Sequence, residues 1–354
     1  MSKLQILAAS TVVPTAVSWL VPGLIPTNRL AVLDGDPGQG KSYLTLDLAS
    51  AITQGKTWGP KGHVKGYAPP ANVLILNAED DPDSTMVPRL RFMKANMAKI
   101  YFGEKLLEPP RSKTGPQLRS RGLYLPTDIA QLESVVKALE VRLLIIDPIM
   151  AFISPEISSN SDQAVRIALG CLKTLGQEMG VTVLLVRHLN KSGGNKVLYR
   201  GGGSIGIIGL TRSGMYVGVN PDDKDQKILA QSKNNLGPLT KPWAFRLRSN
   251  SSGDRSICWE GETQIPLSRV MDTAKEELPS EKAEKFLQSL LADATTGIPV
   301  TTIIEAAAKI GIAQGTLIKA RKALQIASKK VGHQWFWQSA NEAKQGVFDQ
   351  IQDS

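Results

Sequence analysis

The chain is expected to fold as an α/β protein on a mostly parallel central sheet, followed by a small helical unit. Three observations predict this. Short apolar runs, each ending in a polar or charged residue, alternate with helical patterns, as in sheets buried on both faces and joined by crossover helices. One of those runs passes into "GDPGQGKS" (35–42), a glycine-rich turn ahead of a helix-forming stretch. Near residue 265 the strand-like runs stop, and short amphipathic stretches replace them.

Taken in order, residues 4–26 are apolar but follow one lysine, Lys3, and are broken by prolines 14, 22 and 26, so they are expected to join the folded domain rather than act as a leader. Strands are expected at 30–34, 72–79, 141–147 and 181–188, with helices near 43–54, 83–97, 128–139 and 162–179. Two more strands, 213–219 and 227–234, should form a hairpin across "NPDDKD". Residues 102–122 and 190–204 read as surface loops.

The expected division is a large α/β domain over 1–268, a charged linker over 269–281, a helical unit over 282–338 and a polar tail over 339–354. Within the third part, three amphipathic stretches precede an alternating "ASKKVGHQWFWQ", the order of a winged helix-turn-helix. Ser280 and Thr301 suit helix N-caps, Gly297 and Gly311 suit breaks between helices, and Leu317, Ala320 and Leu324 form an apolar face.

Composition narrows the function. The 354 residues carry 42 Lys and Arg against 32 Asp and Glu, a formal charge of +10 that favours polyanionic partners such as DNA. Cys171 and Cys258 are far apart and outside any C-x-x-C spacing, which suggests neither a disulfide framework nor a zinc site and suits a reducing cytoplasm. No run reaches the ~18 uninterrupted apolar residues that a spanning helix needs, so no membrane role is expected.

The chemistry starts at Gly35, Gly40, Lys41 and Ser42, which fit G-x-x-x-x-G-K-[ST]. The whole stretch Gly35, Asp36, Pro37, Gly38, Gln39, Gly40, Lys41, Ser42 and Tyr43 is expected to hold ATP, with Lys41 on the β- and γ-phosphates and the Ser42 hydroxyl on Mg²⁺. Asp147 ends a buried strand and could hold the metal through water. Glu79 closes the next run and could polarise the attacking water, while Asp81 could open the following helix. His188 ends its strand where it could sense a phosphate. Lys191 and Lys196, with Arg200, lie in a glycine-rich loop suited to a DNA backbone. Lys319, Arg321 and Lys322 occupy the expected recognition helix, with Lys329 and Lys330 at the wing, whereas Trp335, Phe336 and Trp337 are expected to pack the hairpin.

Several stretches in one order carry a resemblance: "SWLVPGLIPTNRLAVLDGDPGQGKS", "NVLILNAEDDPDSTMVPRL", "LLIIDPIMAFI", "VLLVRHLNKSGG", "RGGGSIGIIGLTRSG" and "SKNNLGPLTKPWAFRL". Over about residues 15–250 the chain resembles RecA-like ATPases, and within them RepA-type hexameric replicative helicases and related phage and plasmid AAA-type ATPases. That resemblance implies a Mg²⁺-dependent homohexamer moving on single-stranded DNA, with Glu79 as base, Asp147 on the metal, His188 as sensor and Arg212 reaching the next subunit's nucleotide. Asn28-Arg29 stands where the resemblance implies Gly-Lys. The alternative from another class is an ATP-switched DNA-binding regulator or maintenance protein that does not unwind.

Overall fold

The computed structural model describes residues 6–60, 69–103, 105–108, 119–157, 161–189, 205–249, 253–272, 279–292 and 297–338. The chain divides into two compact units, Met1–Ala274 and Lys275–Ser354.

In the first unit a small antiparallel ribbon, β1 (Trp19–Val21) and β2 (Ile25–Pro26), leads to β3 (Leu30–Gly35). Asn28, just before β3, has φ 57°, a left-handed conformation that glycine takes freely and asparagine tolerates. The expectation that 4–26 packs into the domain holds only from about Trp19. Residues 6–16 are exposed, with Ile6 at 84% and Val13 at 80%.

After β3 come α1 (Lys41–Gln54), β4 (Asn72–Asn77), α2 (Val87–Phe92) and β5 (Ile100–Gly103). The helix expected over 83–97 is shorter than its pattern. It opens with a π turn over Pro82–Met86 and ends at Phe92, where Lys94 takes φ 60° and turns the chain towards β5. Asp81 precedes that turn, and its main-chain oxygen, not its side chain, accepts from Thr85 and Met86. The span 102–122 is also not simply a loop: β5 reaches Gly103, and β6 (Leu106–Glu108) pairs with β7 (Arg119–Arg121). Arg121 grips Asp128 through two bonds of 2.6 and 2.8 Å.

The chain continues through α3 (Ile129–Ala138), β8 (Val141–Asp147), α4 (Asp162–Glu178), β9 (Thr182–His188), α5 (Ile205–Leu210), β10 (Ser213–Asn220) and β11 (Asp223–Asn234). Then follow β12 (Trp243–Ser249), β13 (Arg255–Glu262) and α6 (Leu267–Asp272). The main sheet has nine strands in the order β13-β12-β11-β10-β3-β9-β8-β4-β5. From β10 to β5 all neighbours are parallel; β11, β12 and β13 extend the sheet antiparallel. The last two were not anticipated as strands.

Alternation along the strands explains the two layers. Ala31, Leu33, Val73, Ile75, Leu143, Ile145, Leu184 and Val186 face one core with α1. Leu30, Val32, Leu74, Leu76, Leu144, Ile146, Val183 and Leu185 face the other with α3 and α4. Both faces are covered, so the parallel edge formed by the carboxyl ends of the strands is where polar side chains emerge.

The second unit holds α7 (Pro279–Ala292), β14 (Ile298–Pro299), α8 (Val300–Lys309), α9 (Gln314–Ala323), β15 (Ala327–Val331) and β16 (Gln334–Gln338). Its sheet runs β14-β16-β15, antiparallel throughout. Ala283, Leu287, Ile303, Ala307, Leu317, Ala320 and Trp337 make its core. Ser280 and Thr301 are not N-caps, because prolines 279 and 299 already occupy the first helical and the capping position. Gly311 closes α8 at φ 76°, with Gly311 donating to the Ala308 carbonyl and Ile312 to that of Ala307, a Schellman ending.

Candidate active site

The site assembles at the carboxyl edge of the parallel strands. β3 ends in Gly35, where an added Cβ would lie 2.7 Å from the Val217 carbonyl oxygen, so only glycine lets the loop leave against β10. The turn closes at Gly40, φ 91°, which caps α1 without any side-chain bond. The first amides of a 14-residue helix are therefore left for an anion.

Lys41 bends back over this turn, and its Nζ donates to the carbonyls of Gly35 and Asp36 at 2.8 and 2.9 Å. Burial lowers its pKa, opposed by Asp147, Glu79, Asp36 and Asp34. The Ser42 hydroxyl donates to Asp147 Oδ2 at 3.3 Å. Asp147 is 3% exposed, and burial first, then the neighbouring Glu79, push its carboxyl up to about 6. A cation here would relieve both effects, which fits a hard metal held by a hydroxyl and a carboxylate.

β4 runs beside β8, with Asn77 opposite Asp147, and this register brings Glu79 to the same edge. Asn77 Oδ1 accepts from the backbone N–H groups of Glu79 and Asp80 at 2.8 and 2.7 Å, fixing the turn that carries the carboxylate. His188 lies opposite Gly35 at the end of β9. Its Nε2 is 3.1 and 3.3 Å from the two Glu79 oxygens, and since a carboxylate only accepts, that nitrogen carries a proton in this contact. One ligand atom each of Glu79, Asp147 and His188 falls within 4.8 Å of the others. A cavity of about 520 Å³ connects Pro37, Gly40, Lys41, Ser42, Glu79 and His188.

Three features here were missed in the sequence. Arg89 lines the same cavity, lies 4.6 Å above the Tyr43 ring and pairs with Asp80 at 3.1 Å. Lys227, from β11, donates to Gln39 Oε1 at 3.3 Å behind the phosphate-loop turn, and burial lowers its pKa. Beneath the site, Arg187 and Asp34 form a buried two-bond pair, both at 2.8 Å. The last had a signal: each is the one charged residue within an apolar run, at matched positions of neighbouring strands.

Other expected residues lie elsewhere. Arg212 is exposed at the start of β10, its N–H bonded to the Leu30 carbonyl, so it sits at the edge opposite its own phosphate loop. Lys191, Lys196 and Arg200 fall outside the described residues. On α9, Lys319 and Lys322 are exposed, but Arg321 turns back to lie 5.6 Å over the Trp337 ring. The three aromatics of β16 do not all pack: Trp337 is 4% exposed and Trp335 52%. No helix among the described residues is long and apolar enough to cross a membrane.

Comparison with known proteins agrees with this edge. A stretch of 173 residues is 25% identical to "DNA repair protein RadA" of Streptococcus pneumoniae (strain ATCC BAA-255 / R6), covering 48% of this chain. The chain spans about a third of that relative, 32% of its length. Residues 2–194, which run from the N-terminus past β9 and so take in Lys41, Ser42, Glu79, Asp147 and His188, match the family described as AAA domain. With more than half of its length inside that match and a RecA-like α/β sheet presenting the phosphate loop, the chain belongs to the AAA domain family of P-loop ATPases.

Proposed function

We propose that the chain is a Mg²⁺-dependent ATPase whose hydrolysis drives movement on single-stranded DNA, as a homohexameric helicase of the RepA type. The observation that carries the reading is the convergence of Lys41, Ser42, Glu79 and His188 on one cavity at the strand ends, with the buried Asp147 bonded to Ser42 and within 4.8 Å of Glu79 and His188. Ser42 and Asp147 would hold Mg²⁺, which supplies charge neutralisation on the transferring phosphate. The α1 amides and Lys41 bind the phosphates, with Lys41 exchanging its two carbonyl acceptors for phosphate oxygens. Glu79 orients the attacking water and takes its proton. His188, released from Glu79, answers the γ-phosphate and passes its presence to the loop that follows β9.

Arg212 lies beside the start of β3, at the opposite ends of the strands from its own phosphate loop, which supports a role on a neighbouring subunit's nucleotide. The tilt of charge towards Lys and Arg, and the RadA likeness, support DNA as the polymer. The test is native mass measurement with a non-hydrolysable ATP analogue, with and without a single-stranded oligonucleotide, alongside strand displacement. Six-fold assembly, turnover stimulated by single strands and displacement of a paired strand are expected. A persistent monomer without stimulation contradicts the motor, and tight duplex binding without displacement supports the regulator instead.

A further inference from the structure

In the C-terminal unit a cavity of about 460 Å³ opens between α9 and the β15–β16 hairpin, within the ~300–1,000 Å³ typical of small-ligand sites. Val300, Ile318, Arg321, His333, Trp335 and Trp337 line it. We propose that this cavity stacks an unpaired nucleotide of single-stranded DNA, giving the second unit a strand-binding site of its own. The proposal rests on the reading of the chain as a DNA-dependent ATPase and names a further place where the polymer is held.

Residue alternation places Trp335 and Trp337 on the same face of β16, yet only Trp337 is spent on the core. Trp335, 52% exposed, and Ile318, 42% exposed, leave an aromatic face and an aliphatic wall open. Lys330 lies directly across from Trp335 in the hairpin, so a cation flanks the exposed ring on its own side. The Arg321 guanidinium carbon lies 5.6 Å from the centre of the Trp337 ring, and its Nε has no acceptor among the described residues. A guanidinium and the exposed Trp335 ring lining one cavity suit a phosphate and the base it carries.

Charge decides which partner fits. From residue 306 to 341 the sequence has six Lys and Arg and no Asp or Glu. α9, β15 and β16, which supply most of the lining, therefore carry cations and no carboxylate, a balance that suits a polyanion. A duplex covers its base faces with neighbouring bases, whereas a single strand offers them to an exposed ring. The observations therefore favour the unpaired strand over the duplex and over an acidic peptide.

The test uses the full-length chain without ATP, titrated with fluorescently labelled oligothymidine and followed by anisotropy at fixed salt. Trp335→Ala is expected to weaken binding about tenfold or more, and Trp335→Phe, which keeps a stacking face, to bind as the unaltered chain does. Intrinsic fluorescence quenched by oligothymidine in the unaltered chain should be lost in Trp335→Phe. Lys330→Gln should flatten the salt dependence by about one ion. A labelled duplex should bind Trp335→Ala and the unaltered chain equally. Unchanged oligothymidine affinity in a folded Trp335→Ala overturns the proposal, as do an equal loss on duplex and quenching that survives in Trp335→Phe. An acidic peptide that binds through Trp335 where oligothymidine does not would overturn it too. Failure of the ATPase reading would show instead in nucleotide turnover, which this titration does not contain.

Discussion

Two groupings of polar side chains lie one step apart along β3 and β9, the second completed by Glu79 and Asp147 from the ends of β4 and β8, and they are built in opposite ways. Asp34 and Arg187, opposite each other on β3 and β9, close on one another through two 2.8 Å bonds with 7% and 1% of their side chains exposed. One step further, Gly35 faces His188, and there the charges stay open: Glu79 is 51% exposed, His188 32%, and Asp147 is buried with its acidity weakened. The first pair satisfies itself and fixes the register of the strand that carries the phosphate loop. The second keeps capacity for a cation and phosphate that arrive from outside.

Substitutions should therefore separate into those that cost turnover and those that cost stability. The largest effect on turnover is expected for Lys41→Ala, which should reduce ATP hydrolysis by about a hundredfold or more with little change in melting temperature. On stability, Asp34→Asn leaves the Arg187 guanidinium buried without its counter-charge and should cost about 3–5 kcal/mol in chemical denaturation. An Asp34→Asn protein as stable as the unaltered one would break the contrast.

Asp147→Asn should act the other way. The Asp147 carboxyl is raised from 3.8 to about 6, so the folded state holds its proton while the unfolded chain has lost it. Stability therefore falls as pH rises from about 4 to 6, and above that window the ionised form costs about 3 kcal/mol, from ~1.4 kcal/mol per unit. Asn in its place should raise the metal- and nucleotide-free melting temperature at pH 8, lose that advantage below pH ~4, and abolish hydrolysis. The smallest effect is on His188→Gln: its half-exposed contact with Glu79 is worth about 1 kcal/mol or less, so stability should hardly change while stimulation by single strands falls.

Much of this edge could be read from the chain. The runs at 30–34, 141–147 and 181–188 are strands and that at 72–79 is one as far as Asn77, with Glu79 in the turn beyond, and their polar residues meet because a parallel sheet places all carboxyl ends together. What escaped was set by neighbours far along the chain. β12 and β13 mix Arg, Ser and Glu with aromatics, and they become strands by adding to β11 and packing Trp243, Phe245 and Trp259 near α1. The shortened α2 has adequate helical pattern, but a π turn and the φ 60° of Lys94 end it. Arg89 over Tyr43, and Arg321 over Trp337, depend on contacts that spacing does not encode.

The most direct measurement of the central claim is single-turnover ATP hydrolysis by Glu79→Gln with Mg²⁺, beside ATP binding by the same protein. Binding close to that of the unaltered chain with hydrolysis slower by about a hundredfold or more is the expected result. Hydrolysis at the unaltered rate would contradict a site in which Glu79, facing Asp147 and His188, activates the attacking water.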